Sequence, residues 1–302
     1  IVHVQTPFLA HYWGARLARR LGAKLVVSYH TYFEQYFHHY LPLVPTRILK
    51  GLARSISRAQ LNRVDLVIAP SEPMANALTD YGVATPIEIL PTGLDLDRFA
   101  AGDGDRFRAE HAIEPGRPVI LTVGRVAFEK NLAFLIDVLE RVRQAVPNVL
   151  LVIAGEGPAL RPLKKDVQRR GLADNVRFVG YLDRDGGLLD CYRAADLFVF
   201  ASRTETQGLV LLESMAVGTP VVSTAVMGTA SVLADARGAV VVEERVDEFG
   251  SAVADLLGNA GRRHELARLA ARDIAERWSG PEMARRLLAL YRAVVAEAGH
   301  AS

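Results

Sequence analysis

The chain has 302 residues, half of them hydrophobic and 23% charged, with one cysteine and a formal net charge of +2. At about 150 residues per domain this length predicts two domains, and the composition excludes a disordered chain, a collagen, a coiled coil and a disulfide-stapled scaffold. The charge is uneven: residues 1–64 carry nine arginines and lysines against one acid, Glu34, a net of +8 that leaves −6 for the remainder. That asymmetry suits an anionic partner, a membrane surface or nucleic acid, or it is a solvated face with no partner. Cys191 stands alone and nothing in cysteine usage points to secretion. No apolar run approaches the about 18 residues of a spanning helix.

The chain opens on Ile1 inside an apolar segment, so the first domain is expected to be incomplete at its start. Ile1–Gln5, Lys24–Tyr29, Asp65–Ala69 and Ile87–Leu90 read as strands. His11–Leu21, about 32–40 and 46–62 read as helices, and a further helix opens at Ser71 and Pro73, with Ser71 as N-cap. Pro91-Thr92-Gly93 is a turn, and Ala100–Asp105, rich in Gly and Asp, reads as a linker. A second series follows, with strands at Val119–Val123, Val149–Ala154, Val176–Val179, Leu197–Phe200, Val221–Ser223 and Ala239–Val242. Helices fall near 131–145, 158–170, 185–194, 208–217 and 246–257, and two more, 261–277 and 281–297, close the chain. Strands alternating with crossover helices predict α/β architecture, two Rossmann-like domains with doubly wound parallel sheets facing a cleft. The expected divisions are 1–105, 106–278 and a C-terminal helix, 279–302, packing back toward the first domain.

Ligands of such sheets bind beyond the carboxyl ends of the strands. His30, Gly124-Arg125 with Lys130, Gly155-Glu156-Gly157, Tyr181-Leu182 and Ser202–Gly208 all fall there. The strongest segment is Glu205-Thr206-Gln207-Gly208-Leu209-Val210-Leu211-Leu212-Glu213. A helix starting at Gly208 offers unpaired backbone N–H groups and the positive end of its dipole, and Gly208 admits a ligand close to the backbone. Arg125 and Lys130 can add side-chain charge to the same phosphates. No G-x-x-x-x-G-K-[ST] occurs, and Gly155-Glu156-Gly157 fails the G-x-G-x-x-G spacing, which disfavours a P-loop or NAD site. Each residue also has a bland role: Glu213 a partnered helix carboxylate, Glu205 a helix cap, Arg125 a surface charge, His30 a structural histidine. A glycosidase pair needs carboxylates roughly 5–10 Å apart, whereas eight helical residues rise about 12 Å. Two contacts along one elongated ligand fit better.

With GRVAFEKN at 124–131, the segment Glu205–Glu213 resembles the retaining glycosyltransferases of family 4, which have the two-domain GT-B fold. The first half is similar to the bacterial diacylglycerol glucosyltransferases of that family, on His3–Phe8 (HVQTPF), YHTYFEQYFHHYLPLVP at 29–45, VIAPSEPM at 67–74 and LPTGLDLDRF at 90–99. The resemblance implies that Arg125 and Lys130 neutralise a leaving nucleoside diphosphate. It gives Glu205 the donor sugar, Thr206–Leu209 the backbone amides for sugar and phosphate, and Glu213 the ribose hydroxyls. Tyr181-Leu182 then lie by the base, with Gly124 and Gly155 in the donor loops, and His30 reaches the sugar near the reacting carbon. It implies no metal and no cofactor beyond the nucleotide sugar, UDP-glucose. The strand and glycine-rich loop that open the family's acceptor domain do not occur in this sequence.

Residues 29–40 hold six of the 22 aromatic residues, and Tyr32, Phe33, Tyr36, Phe37 and Tyr40 share one helical face. Arg47, Lys50, Arg54 and Arg58 form a basic stripe, with Ile48, Leu49, Leu52 and Ile56 apart from it. A basic amphipathic helix beside aromatics suits an anionic bilayer, or both stripes are core and solvated face. Nucleic acid lacks an accompanying motif. The expected function is hexose transfer from UDP-glucose to a lipid acceptor such as diacylglycerol, at the cytoplasmic membrane face. The alternatives are GDP-mannose as donor, a soluble or polyprenyl acceptor, or a nucleotide-sugar-binding module without catalysis.

Overall fold

The computed structural model describes residues 1–6, 9–30 and 46–299. They form two compact units, one of residues 1–93 with 280 onward and one of residues 94–279. The helix expected at about 32–40, with Tyr32, Phe33, Tyr36 and Phe37, lies outside the described residues.

The first unit is built on a parallel sheet of β1 (Val2–Val4), β2 (Leu25–Ser28), β3 (Leu66–Ala69) and β4 (Ile87–Ile89), in that spatial order. Helix α1 (Leu9–Leu21) connects β1 to β2, α2 (Thr46–Leu61) lies between β2 and β3, and α3 (Glu72–Asp80) joins β3 to β4. β2 and β3 are buried throughout, as continuous apolar runs covered on both faces must be. Val27, Val67 and Ala69 pack with Ala18, Met74 and Leu78 on one face. α1 presents small residues to the sheet, and Gly14 lies against Val4. Its large side chains therefore point away: Trp13 and Leu21 are about two-thirds exposed, at 67% and 66%.

The second unit holds β5 (Val119–Val123), β6 (Leu150–Ala154), β7 (Val176–Gly180), β8 (Leu197–Phe200), β9 (Val221–Ser223) and β10 (Ala239–Val241), ordered β10-β9-β8-β5-β6-β7 and parallel throughout. Its helices are α4 (Leu96–Phe99), α5 (Gly104–Glu110), α6 (Leu132–Arg143), α7 (Leu160–Arg169), α8 (Gly187–Ala194), α9 (Leu209–Ala216), α10 (Gly228–Leu233), α11 (Val246–Gly258) and α12 (Ala260–Arg277). Alternate residues of β5 and β6 feed two cores. Ile120, Leu151 and Ile153 pack with Leu135, Leu139 and Phe249 of α6 and α11. Leu121, Leu150 and Val152 pack with Phe107, Tyr192 and Met215 of α5, α8 and α9. The chain runs outward from β5 to β7, then returns to place β8 on the other side of β5, so strand order reverses between β5 and β8. Such a switch point opens a crevice at the carboxyl ends of the two strands.

The last helix, α13 (Gly280–Gly299), belongs to the first unit, where Met283 and Val294 pack with Val26, Leu66, Ile68 and Leu90.

Three expectations need correcting. Ala100–Asp105 is not a free linker, and the units divide at Gly93/Leu94 rather than at 105. The carbonyls of Phe99, Ala100 and Ala101 accept bonds from Arg193, Asp103 donates its N–H to the Asp190 carboxylate at 2.6 Å, and Phe99 and Phe107 are buried in the second unit. The short helices α4, α5 and α10 escaped prediction because one or two turns carry no measurable periodicity. Ser71 stands at the N-cap of α3, but its hydroxyl makes no capping bond.

Candidate functional site

At the carboxyl edge of the second sheet the loops after β5, β6 and β7 are bonded together through their backbones. The N–H of Gly124 donates to Ala154 at 3.0 Å, that of Gly155 to Gly180 at 2.7 Å and that of Val126 to Glu156 at 2.8 Å. This closeness requires glycine at 155: its φ is +134°, and a Cβ there would sit 1.9 Å from the Gly124 carbonyl oxygen. Across the switch point, Lys130 Nζ donates to Glu205 Oε1, both side chains being largely buried. The N–H of Arg203 donates to the Glu129 carbonyl at 3.3 Å, joining the loops after β5 and β8. Gly208, at φ +88°, turns the chain into α9 and lies against Thr229, while the Gly228 N–H bonds the Glu205 carbonyl at 2.9 Å.

Glu213, one turn into α9, is buried with only 3% of its surface exposed. A carboxylate so placed needs partners, and it has two. Arg184 Nη2 donates to Oε1 at 2.8 Å and Tyr192 Oη donates to Oε2 at 2.8 Å. Burial, then the adjacent carboxylate, pushes the Tyr192 phenol well above its ordinary value, so it remains a donor. Arg125 pairs with Glu129. Asp183 accepts from the N–H groups of Gly187 and Asp185 at 3.0 and 3.1 Å, which lowers its pKa and fixes the turn after β7.

Seven of the residues singled out in the sequence line one cavity of about 420 Å³: Gly124, Arg125, Gly155, Tyr181, Leu182, Leu209 and Glu213. Val123, Leu188 and Val210 add apolar wall, and Arg184 and Glu156 add charge. Lys130 lines a narrow cleft next to it, also bounded by Gly124 and Arg125. Glu205, Thr206, Gln207 and Gly208 line neither; Gln207 is buried and Gly208 packs beneath the loop from Met227 to Thr229. An apolar slot with a paired carboxylate inside and cations at its edge can take a ligand that combines an apolar ring, hydroxyls and anionic groups. Sequence reasoning missed Arg184, Tyr192 and Glu129, partners whose meaning arises only from the fold.

His30 follows β2 in the first unit. Its Nε2 donates to Gln5 Oε1 at 3.0 Å, and protein atoms packed about the ring lower its pKa. On α2, Arg47, Arg54 and Arg58 are exposed and Lys50 is half-buried. Leu49 and Ala53 face the core, whereas Ile48 and Leu52 are exposed beside the cations. The Arg54 guanidinium lies 5.3 Å from the Tyr81 ring. A cavity of about 400 Å³ separates α2 from α1, whose Leu9, Tyr12, Trp13, Leu17 and Leu21 are exposed. Among the described residues no helix is long and apolar enough to cross a membrane.

The family model "Glycosyl transferases group 1" matches residues 103–273, over all six strands of the second sheet and their loops, and "Glycosyltransferase Family 4" matches residues 1–98. The chain belongs to the glycosyl transferases of group 1. Within that family it is 35% identical, over 230 residues, to an alpha-monoglucosyldiacylglycerol synthase of Streptococcus pneumoniae, covering 74% of this chain and 51% of that protein. It is 33% identical, over 299 residues, to a D-inositol 3-phosphate glycosyltransferase of Segniliparus rotundus, covering 95% of this chain and 66% of that protein. The chain thus spans between half and two thirds of the length of these curated relatives. Among solved structures, Anabaena Alr3699/HepE in complex with UDP and glucose matches with a TM-score of 0.81 at 17% identity, covering 97% of this chain and 78% of that one. The likeness fixes the fold as GT-B, with two parallel-sheet α/β domains.

Proposed function

We propose that this chain transfers glucose from UDP-glucose, with retention of anomeric configuration, to a lipid acceptor such as diacylglycerol at the cytoplasmic face of a membrane. The observation that carries the reading is Glu213, a buried carboxylate held by Tyr192 and Arg184 inside an apolar cavity whose rim bears Arg125. Glu213 takes the ribose hydroxyls, and the wall of Val123, Leu182 and Leu188 takes the uracil beside Tyr181. In the transfer, the bond from the anomeric carbon to the diphosphate oxygen breaks as the acceptor oxygen bonds to that carbon from the same face. The acceptor proton leaves with the departing phosphate. Negative charge grows on the diphosphate, and Arg125, Lys130 and the first amides of α9 stabilise it. Glu205 meets the hexose and, through its pairing, holds Lys130 in place.

The donor is supported by the HepE complex with UDP and glucose and by the name of the Streptococcus pneumoniae relative. The lipid acceptor is supported by that same name and by α1 and α2, which turn Trp13, Ile48 and Leu52 outward among cations. A second reading, a soluble phosphorylated acceptor, is favoured by the inositol 3-phosphate enzyme, whose similarity covers nearly the whole chain.

A screen of UDP-glucose and GDP-mannose against diacylglycerol in anionic vesicles and against inositol 3-phosphate tests these readings. The expected product is a glucosyl lipid from UDP-glucose alone. Transfer only to inositol 3-phosphate would select the second reading. UDP binding without transfer or donor hydrolysis would leave a nucleotide-sugar-binding module.

A further inference from the structure

The cavity of about 400 Å³ between α1 and α2 lies wholly within the first unit and carries polar side chains that the transfer reaction does not use. Its facing residues are small. Ala15 and Ala18 on α1 and Ala59 on α2 leave a gap, and Ile56 adds to the apolar wall. Two of the lining side chains are polar and more than nine-tenths buried: His11 has 4% and Gln60 has 8% of its surface exposed. Among the described residues neither side chain makes a hydrogen bond. Buried polar groups are normally bonded, and interiors hold few voids wider than one water. At about 30 Å³ per water this one has room for about a dozen. Two unmet polar groups in so large a space point to a ligand with acceptor oxygens.

The charge available to that ligand has one sign. Arg19, near the end of α1, and Arg63, just past α2, are exposed side chains that also line the cavity. Among the described residues neither pairs with a carboxylate. The acid of the lining, Asp65, is engaged at both oxygens: Oδ1 accepts from Lys24 Nζ at 2.9 Å and Oδ2 from the Leu25 N–H at 2.8 Å. Burial, then the Arg63 charge, lowers the pKa of His11, so its ring is neutral near pH 7 and offers one N–H. Guanidinium forks match phosphate oxygens in pairs, and the His11 N–H and the Gln60 amide are further donors. The alanine wall suits the carbon part of an ester.

We infer that this cavity is a second binding site, for a phosphate ester, with Arg19 and Arg63 on the phosphate and His11 and Gln60 on its remaining oxygens. The site stands apart from the donor reading. Gly22, Ala23, Leu25 and Asp65 of its lining lie at the amino ends of β2 and β3, opposite the edge at which such sheets bind the ligands of their reactions. An anionic lipid headgroup and a soluble phosphate ester share this chemistry.

The test titrates the full chain with sn-glycerol 3-phosphate and, separately, with dihexanoylphosphatidic acid below its micellar concentration. Calorimetry gives the affinities, and the imidazole signals of His11, assigned with His11→Asn, report the place. Saturable binding that shifts the His11 signals is expected. Arg19→Gln and Arg63→Gln each weaken it about tenfold. Arg20→Gln, an exposed neighbour outside the lining, leaves it unchanged. Ala59→Phe fills the gap without altering charge and also weakens it, and Glu213→Ala has no effect. Ala59 and the arginines are exposed, so the fold survives these changes. Tighter binding of the phosphatidic acid assigns the site to a lipid headgroup, and equal affinity assigns it to a soluble ester. No binding of either compound overturns the proposal. So does binding that leaves His11 unmoved, that survives Ala59→Phe, or that Arg20→Gln weakens as much as Arg19→Gln, since the anion then meets only a basic surface. Loss of binding in Glu213→Ala would place the phosphate in the donor cavity and overturn it too.

Discussion

Tyr192 and Glu213 show how a single hydroxyl ties the core of the second unit to its cavity. Tyr192 is fully buried, and its hydroxyl donates to the carboxylate proposed to hold the ribose. Tyr192→Phe removes that donor from a buried acceptor, which costs about 1–3 kcal/mol of stability. It is expected to weaken UDP binding several-fold as well, since Oε2 loses its fixed direction. Denaturant unfolding and calorimetric titration check the two parts, and unchanged UDP affinity would leave Tyr192 a role in the core alone. Lys130→Met takes the cation away from Glu205 and from the departing diphosphate, and is expected to lower kcat about a hundredfold in a transfer assay. Gly155→Ala forces a Cβ onto the Gly124 carbonyl at a positive φ. It should cost about 1–3 kcal/mol in unfolding free energy, read from the urea midpoint.

Elements of the sheets were legible in the sequence nearly to the residue. Parallel strands covered on both faces must be short continuous apolar runs, and few other segments are. Helix ends were legible less sharply, because Ser71 occupies an N-cap without capping α3 and α4, α5 and α10 are too short to show a period. The switch point was not legible, although the loops that form it were: only the spatial order of β5 and β8 brings Lys130 to Glu205. On α1 the large apolar residues Leu9, Trp13, Leu17 and Leu21 are the natural guess for a core face. The structure assigns the core to small residues because Gly14, Ala15 and Ala18 let the helix lie close on β1, and leaves the large ones exposed. Like Ile48 and Leu52 of α2, they present apolar surface on helices that also carry cations. If that surface meets anionic lipid, Arg47→Gln and Arg58→Gln each weaken binding to phosphatidylserine vesicles roughly fivefold, at about 1 kcal/mol per basic residue. Added salt releases the chain, and neutral vesicles retain it poorly. Equal retention on neutral vesicles in a sedimentation assay would contradict the electrostatic part.

For the molecule as a whole, the small net charge conceals a division between a basic first 64 residues and an acidic remainder. The basic stretch carries α1 and α2, and the remainder holds the cavity. Stability should also depend on pH in a stated sense. His3, His11, His30 and His111 all have folded-state pKa values below the ordinary 6.5, with burial the largest cause in each. Above about pH 7.5 neither the folded nor the unfolded chain binds these protons, and stability is intact. As pH falls below that, the unfolded chain takes up protons that the folded chain refuses, and stability declines. The melting temperature should therefore drop between about pH 7.5 and about pH 5.5, and His3→Asn should shrink the drop. The central claim is that the carboxyl edge of the second sheet binds a nucleoside diphosphate sugar through Glu213. Calorimetric titration of UDP into the wild-type chain and into Glu213→Ala tests it most directly. Saturable one-site binding in the wild type, weakened at least tenfold in the variant while its fold persists by circular dichroism, is the expected result. Equal affinity in the two proteins, or no binding by the wild type, would contradict it.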